Sequence, residues 1–275
     1  MRNVKEDGKP VLSIRNLKVS FRIEDKTIDA LKGISLEIKR GEIVALVGES
    51  GSGKSVTCLS IMGLLPVYGE VSGSILFRYN GRQVNLLSLS EKEKRKIRGN
   101  LISMVFQEPS AVLNPLLTVG EQIAETVKAH RNVSKEEAKR IAIRSMEMVR
   151  IPDADRRFYQ YPHELSGGLK QRVVIASGIA NNPAILLADE PTTALDVTVS
   201  AQILKLFKDL KEKMGLSVLL ITHDLGIVAE IADRVFVIYR GEIVEGGDVF
   251  QIFDSPQHPY TKKLLSSRPS FNKVS

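Results

Sequence analysis

The chain has 275 residues, 43% hydrophobic and 26% charged, with a formal net charge of +7. That content supports a sizeable core in one large domain or two small ones, and no apolar run approaches the roughly 20 residues of a membrane helix. One cysteine, Cys58, excludes an intrachain disulfide and any metal centre built from several thiols.

The N-terminal residues 1–7 carry no apolar secretory core, so the expected location is the cytoplasm. Alternating apolar positions predict antiparallel strands over 11–19 and 31–38, with Asp25 and Lys26 in the turn between them. Residues 43–47 are apolar throughout, as in a strand buried on both faces. A helix over 55–62 follows a glycine-rich loop, and further strands are expected over 74–79 and 101–106. The run Lys92, Glu93, Lys94, Arg95, Lys96, Ile97, Arg98 mixes both signs and reads as a solvated helix face. With 5% aromatics and no Trp, a base-stacking nucleic-acid surface is disfavoured.

Residues 108–115 form a loop punctuated by Pro109 and Pro115. Helices are predicted over 119–129 and 134–149, the second with a capping box of Ser134 and Glu137. A helix over 168–180 stops at Asn181, Asn182 and Pro183. Strands at 185–188, 218–222 and 235–238 then alternate with helices at 197–214 and 225–231, and Arg240-Gly241 turns into a last strand at 243–245. The pattern is α/β with a central, mainly parallel sheet. The helix-rich interval from about 109 to 164 reads as a subdomain inserted into it.

Gly48, Glu49, Ser50, Gly51, Ser52, Gly53, Lys54 and Ser55 lie between the apolar strand and the helix, the setting a phosphate-binding loop needs. Glycines let backbone N–H groups face phosphate, and the helix adds its positive end. Lys54 can reach the β- and γ-phosphates, and the Ser55 hydroxyl can ligate Mg²⁺. Asp189 and Glu190 close an apolar strand, which puts carboxylates at the edge where the loop lies. Asp189 can hold Mg²⁺ through water, and Glu190 can polarise the attacking water. His223 follows another strand and belongs at the same edge. Gln107 follows a fourth, where its amide oxygen could reach Mg²⁺ or the attacking water. Leu165, Ser166, Gly167 and Gly168 open a helix with a capping serine, a second anion-binding terminus. Two such ends in one chain suggest that two chains enclose the nucleotide.

Taken together, these segments resemble an ABC-transporter nucleotide-binding subunit. Gly48 to Ser55 matches Walker A, Gln107 the Q-loop and Leu165 to Gln171 the signature. Ile185 to Glu190 matches Walker B, Ala194-Leu195-Asp196 the D-loop, and His223 the switch histidine. Phe21 takes the place of the aromatic that stacks on adenine, or is an ordinary strand aromatic. The resemblance implies a P-loop NTPase (RecA-like) core over about 1–107 and 165–245 that includes an antiparallel β subdomain. It also implies a helical subdomain over about 108–164 and a C-terminal extension over about 246–275. ATP and Mg²⁺ are the implied cofactors, with Val56 and Asp196 joining the nucleotide contacts.

Four stretches, at 48–57, 106–125, 190–204 and 258–265, are similar to the oligopeptide/dipeptide importer ATPases. The first and third look more like the first of that family's two ATPase paralogues. That similarity implies a second ABC ATPase subunit, identical or paralogous, two transmembrane permeases, and indirectly an extracytoplasmic solute-binding protein. It implies a peripheral place on the cytoplasmic face of the membrane and no nucleic acid. The segment 108–125, with Val112, Leu113, Leu116 and Leu117, is the expected permease-docking surface. Related importers carry nickel or sugars on the same design. A soluble ABC ATPase of DNA or the ribosome would be expected to show two cassettes, a coiled-coil insertion or a concentrated basic tail. Many relatives continue into a cysteine-containing tail; none is present up to Ser275, so an iron–sulfur centre is not expected.

Overall fold

The computed structural model describes residues 9–193 and 195–266. In chain order, β1 (Pro10–Ile23) and β2 (Lys26–Lys39) form a long hairpin, and β3 (Ile43–Val47) leads through the glycine loop into α1 (Lys54–Met62). β4 (Gly69–Tyr79), β5 (Arg82–Asn85), α2 (Glu91–Ile97) and β6 (Ile102–Val105) follow. Next come α3 (Pro109–Val112), α4 (Val119–Lys128), α5 (Lys135–Met148), α6 (Ala154–Arg157) and α7 (Gly167–Ile179). The chain continues through β7 (Ile185–Asp189), α8 (Val197–Met214), β8 (Ser217–Ile221) and α9 (Leu225–Ile231). It closes with β9 (Arg234–Tyr239), β10 (Glu242–Asp248), α10 (Val249–Asp254) and α11 (Pro259–Ser266).

Two sheets result. One is antiparallel, in the order β2-β1-β4-β5; the other has the order β10-β9-β3-β8-β7-β6. In the second, β9 and β10 pair antiparallel and the other pairings are parallel. β3, β7 and β8 are buried at every residue, as their apolar runs require, with Asp189 and Ser217 the polar residues at the ends of β7 and β8. Parallel pairing sends the C-terminal ends of β3, β6, β7 and β8 to one edge of the sheet. Helices α3–α7 pack with one sheet face in a core that includes Ile123, Phe158, Ile175, Leu186 and Leu220. The antiparallel sheet and α1 cover the other face around Leu46, Cys58, Phe77 and Leu219.

The structure adjusts several expectations. The hairpin turn is Glu24-Asp25, and Lys26 already belongs to β2. The buried residues Leu12, Ile14, Leu17 and Val19 do not alternate strictly. The register slips between Ile14 and Leu17, where Asn16 takes a left-handed φ of 47° and resets which face points inward. The Ser134–Glu137 box is half made: Ser134 accepts from the Glu137 amide, but the Glu137 carboxylate pairs with Arg140. A complete box sits at Thr118 and Glu121. α2 has no buried residue, as its mixed charges indicated.

Candidate functional site

The strand ends bring the chemistry together. β3 runs into the glycine loop, and α1 starts at Lys54. Helix geometry leaves the amides of Lys54, Ser55 and Val56 without intrahelical carbonyls, so they present a row of donors. Gly53 has φ of 108°, and a Cβ there would stand 2.8 Å from the Ala30 carbonyl, so no other residue fits. Ser50, Gly51, Gly53, Lys54, Ser55 and Val56 line one side of a cleft of about 400 Å³. Gln107, Glu190 and His223 line it too, and so does Ala30 of β2, which carries no sequence signal of its own.

Lys54 Nζ donates to the carbonyls of Gly48 and Glu49, both at 2.9 Å. Burial pulls its ammonium below the usual lysine range, against the opposing charges of Glu190 and Asp189. Ser55 Oγ donates to Asp189 Oδ1 at 3.0 Å. Burial pushes the Asp189 carboxyl up; the Ser55 bond opposes this and the Glu190 charge adds to it. A buried cation and a buried carboxylate are thus both under-compensated, one in want of an anion and the other of a cation. Phosphate and a divalent metal satisfy both. Among the described residues no group of three or more acidic, His or Cys side chains could hold a metal. Two hard oxygens, Ser55 Oγ and Asp189 Oδ1, suit Mg²⁺, which completes its shell with phosphate and water. Cys58, fully buried in α1, has its thiol pushed well above the usual range by burial and takes no part.

Glu190 lies one residue beyond β7, with φ of 46°, and its amide donates to Ile221 O at 2.9 Å. Its Oε2 accepts from Thr193 Oγ1 at 2.9 Å and Gln107 Nε2 at 3.4 Å, and stands 3.5 Å from His223 Nδ1. Three side chains from three chain segments converge on one carboxylate oxygen. Thr193 was not foreseen, because a threonine four residues past a strand has no distinctive pattern. Gln107 faces Glu190 with its amide nitrogen, so its role as a metal ligand through the amide oxygen is not the arrangement seen.

Other sequence-predicted residues lie elsewhere. The Glu49 amide is committed to the Tyr260 hydroxyl at 3.0 Å and the Ser52 amide to Glu49 O at 3.2 Å, so neither is a free donor for phosphate. Gly48 is buried at the end of β3. The Phe21 ring packs edge-on against Tyr68 with centroids 5.9 Å apart and does not line the cleft. Ser166 caps α7, accepting from the Leu169 amide at 3.4 Å. Gly168 permits close passage of α8, since a Cβ there would lie 2.6 Å from Val199 Cγ1. Asp196 caps α8 through the Val199 amide at 2.9 Å. Ser166, Gly167, Gly168 and Asp196 do not line the cleft that holds Lys54. Of the predicted D-loop, Ala194 lies outside the described residues.

The family profile of ABC transporters matches residues 31–193. The chain belongs to the ABC transporter family. A second profile, the C-terminal region of oligopeptide/dipeptide transporters, matches residues 244–275. The cassette is 52% identical over 261 residues to the dipeptide transport ATP-binding protein DppD of Bacillus subtilis, spanning 94% of this chain and 77% of that one. It is 52% identical over 271 residues to the glutathione import ATP-binding protein GsiA of Salmonella paratyphi A. It covers 98% of itself but only 44% of that relative's length. Among solved structures, it resembles the dimeric post-hydrolysis state of the ATP-binding cassette MJ0796 bound to ADP and Pi. That likeness has a TM-score of 0.75 and 32% identity, and covers 86% of this chain and 98% of that one. It also resembles cbiO1 from Clostridium perfringens, part of the ABC transporter complex cbiONQ. There the TM-score is 0.74 and the identity 29%, over 90% and 91% of the two chains.

Proposed function

We propose that this cassette is the ATP-hydrolysing subunit of an importer for oligopeptides or dipeptides. The observation that carries the reading is the convergence of the Lys54 loop, the Ser55–Asp189 pair and the Gln107–Glu190–His223 cluster on one cleft. Lys54 and the α1 amides bind the β- and γ-phosphates; Phe21, packed on Tyr68 outside the cleft, is assigned to adenine by family resemblance alone. Ser55 and Asp189 would hold Mg²⁺, which when bound neutralises charge building on the phosphate oxygens. Glu190 orients the attacking water and accepts its proton. Gln107 and Thr193 fix the carboxylate, and His223 faces the γ-phosphate. Ser166, Gly167, Gly168 and Asp196 close the site of a second cassette, identical or paralogous.

The profile match over 244–275 and the dipeptide and glutathione relatives support the cargo class. Two permeases would carry the peptide, and a solute-binding protein would deliver it. The cassette works peripherally on the cytoplasmic face; among the described residues no helix is long and apolar enough to cross a membrane. The docking surface begins just past Gln107. Leu116 is 82% exposed and Val112 45%, beside a groove of about 500 Å³ lined by Leu64, Met104, Phe106 and Leu117. Leu113, also expected on this surface, lines the same groove from a more buried position in the helical core. Leu116→Asp is expected to leave ATP binding by the isolated chain intact while cutting permease assembly and labelled dipeptide uptake in vesicles at least tenfold, about 1.4 kcal/mol of coupling. Full uptake by a folded Leu116→Asp chain would remove the docking surface. Vesicles that move nickel or an oligosaccharide but no peptide would replace the cargo.

A further inference from the structure

Among the described residues, the C-terminal segment reaches the phosphate loop through a buried side chain. Tyr260, on the first turn of α11, is 7% exposed and stacks on Tyr239 of β9, with ring centroids 4.1 Å apart. Its hydroxyl accepts from the Glu49 amide, 211 positions earlier, at 3.0 Å. The turn before it is set by Glu245 of β10, whose carboxylate accepts from the amides of Gln257 at 2.7 Å and His258 at 3.0 Å. The Tyr260 amide in turn donates to His258 Nδ1 at 3.1 Å.

The Glu49 N–H and the Gly48 carbonyl belong to one peptide plane. Among the described residues every peptide is trans, so these two groups point in opposite directions. The carbonyl end receives Lys54 Nζ at 2.9 Å. One rigid plane is therefore held at one end by Tyr260 and at the other by the lysine that meets phosphate. Rotating it to break the first bond swings the Gly48 oxygen away from Lys54. Burial raises the Tyr260 phenol above its usual range, so it stays protonated and keeps its dipole.

We propose that Tyr260 is a positioning residue for nucleotide binding: its hydroxyl fixes the Gly48–Glu49 peptide on which Lys54 rests, joining the 257–266 segment to the phosphate loop. The inference rests on the reading of Gly48 to Val56 as the phosphate site. It gives the C-terminal region a part in ATP recognition besides covering the sheet.

The test uses the full chain and a fluorescent ADP analogue, with phosphate release measured in parallel. Tyr260→Phe keeps the ring stack and removes the hydroxyl. It is expected to raise the analogue's Kd and the KM for ATP about three- to tenfold while kcat stays within about twofold, the pattern of lost ground-state binding. Its melting temperature should stay within about 2 °C of the parent. By reciprocity, ADP should slow amide exchange across 257–266 in the parent and not in Tyr260→Phe. Unchanged Kd and KM in Tyr260→Phe, or exchange across 257–266 indifferent to ADP, would overturn the inference. Lys54→Ala separates the two levels. If it too binds the analogue normally, the phosphate-site reading fails. If it loses binding while Tyr260→Phe does not, only the positioning role fails.

Discussion

Glu190 occupies a backbone conformation most side chains avoid, with φ of 46°. Such strain costs on the order of 1–3 kcal/mol and persists because neighbours over-determine it. Here the Ile221 carbonyl holds the amide, and Thr193 and Gln107 hold the carboxylate. The strained turn aims Oε2 into the cleft while Asp189, one residue earlier, stays against Ser55. Neighbouring carboxylates thus serve separate tasks. Glu190→Gln keeps the shape and removes the proposed base. It is expected to bind ATP normally and to lower phosphate release at least a hundredfold, about 3–5 kcal/mol in barrier height. Near-parent turnover by a folded Glu190→Gln chain would reassign the base, with His223 next in reach.

At the scale of elements, the parallel strands were legible because burial on both faces confines polar residues to the strand ends: β3 has none, β7 ends in Asp189 and β8 begins with Ser217. That their C-terminal ends share one sheet edge followed, and with it the meeting of Lys54, Asp189, Glu190 and His223; the order of the strands along it did not. Contacts between distant, individually ordinary residues were not legible. The Asn16 bulge depends on pairing with both β2 and β4, and the Thr193 and Tyr260 bonds depend on where loops land after folding. The clasp of β10 on α11 belongs to this second class. For Glu245, burial alone would raise the carboxyl, but the hydrogen bonds from the amides of Gln257 and His258 oppose this, and the carboxyl lies below the usual glutamate range. The native group therefore ionises at lower pH than the unfolded one. Its contribution is complete above the unfolded value and is lost as pH falls through the native one. Glu245→Gln is expected to lower the melting temperature by about 2 °C at neutral pH. Thermal unfolding across the acid range should show parent and variant converging once the parent's carboxyl is protonated. A constant gap at all pH values would mean that the carboxylate charge is not what holds the turn.

Across the whole molecule, Lys54 and Ser166 head separate helices, and only the first lines the cleft. If the second closes a partner's site, Ser166→Arg should leave nucleotide binding by single chains near normal. It should also keep the scattering mass at about 30.4 kDa with Mg-ATP in a Glu190→Gln background, where the parent doubles. The lost helix cap costs only about 1 kcal/mol, too little to unfold a chain of this size. Doubling by Ser166→Arg would break the shared-site geometry. The strand order has another consequence, for synthesis. β3 leaves the ribosome well before both its sheet neighbours, β8 and β9, which come from Ser217–Ile221 and Arg234–Tyr239. At roughly 5–20 residues per second, that apolar strand waits on the order of ten to thirty seconds with neither edge paired. The phosphate loop is translated long before the strands that give it its shape. A nascent chain stalled before β8 is therefore expected to expose β3 to chaperones and to lack a nucleotide site, however complete its helices α3–α7.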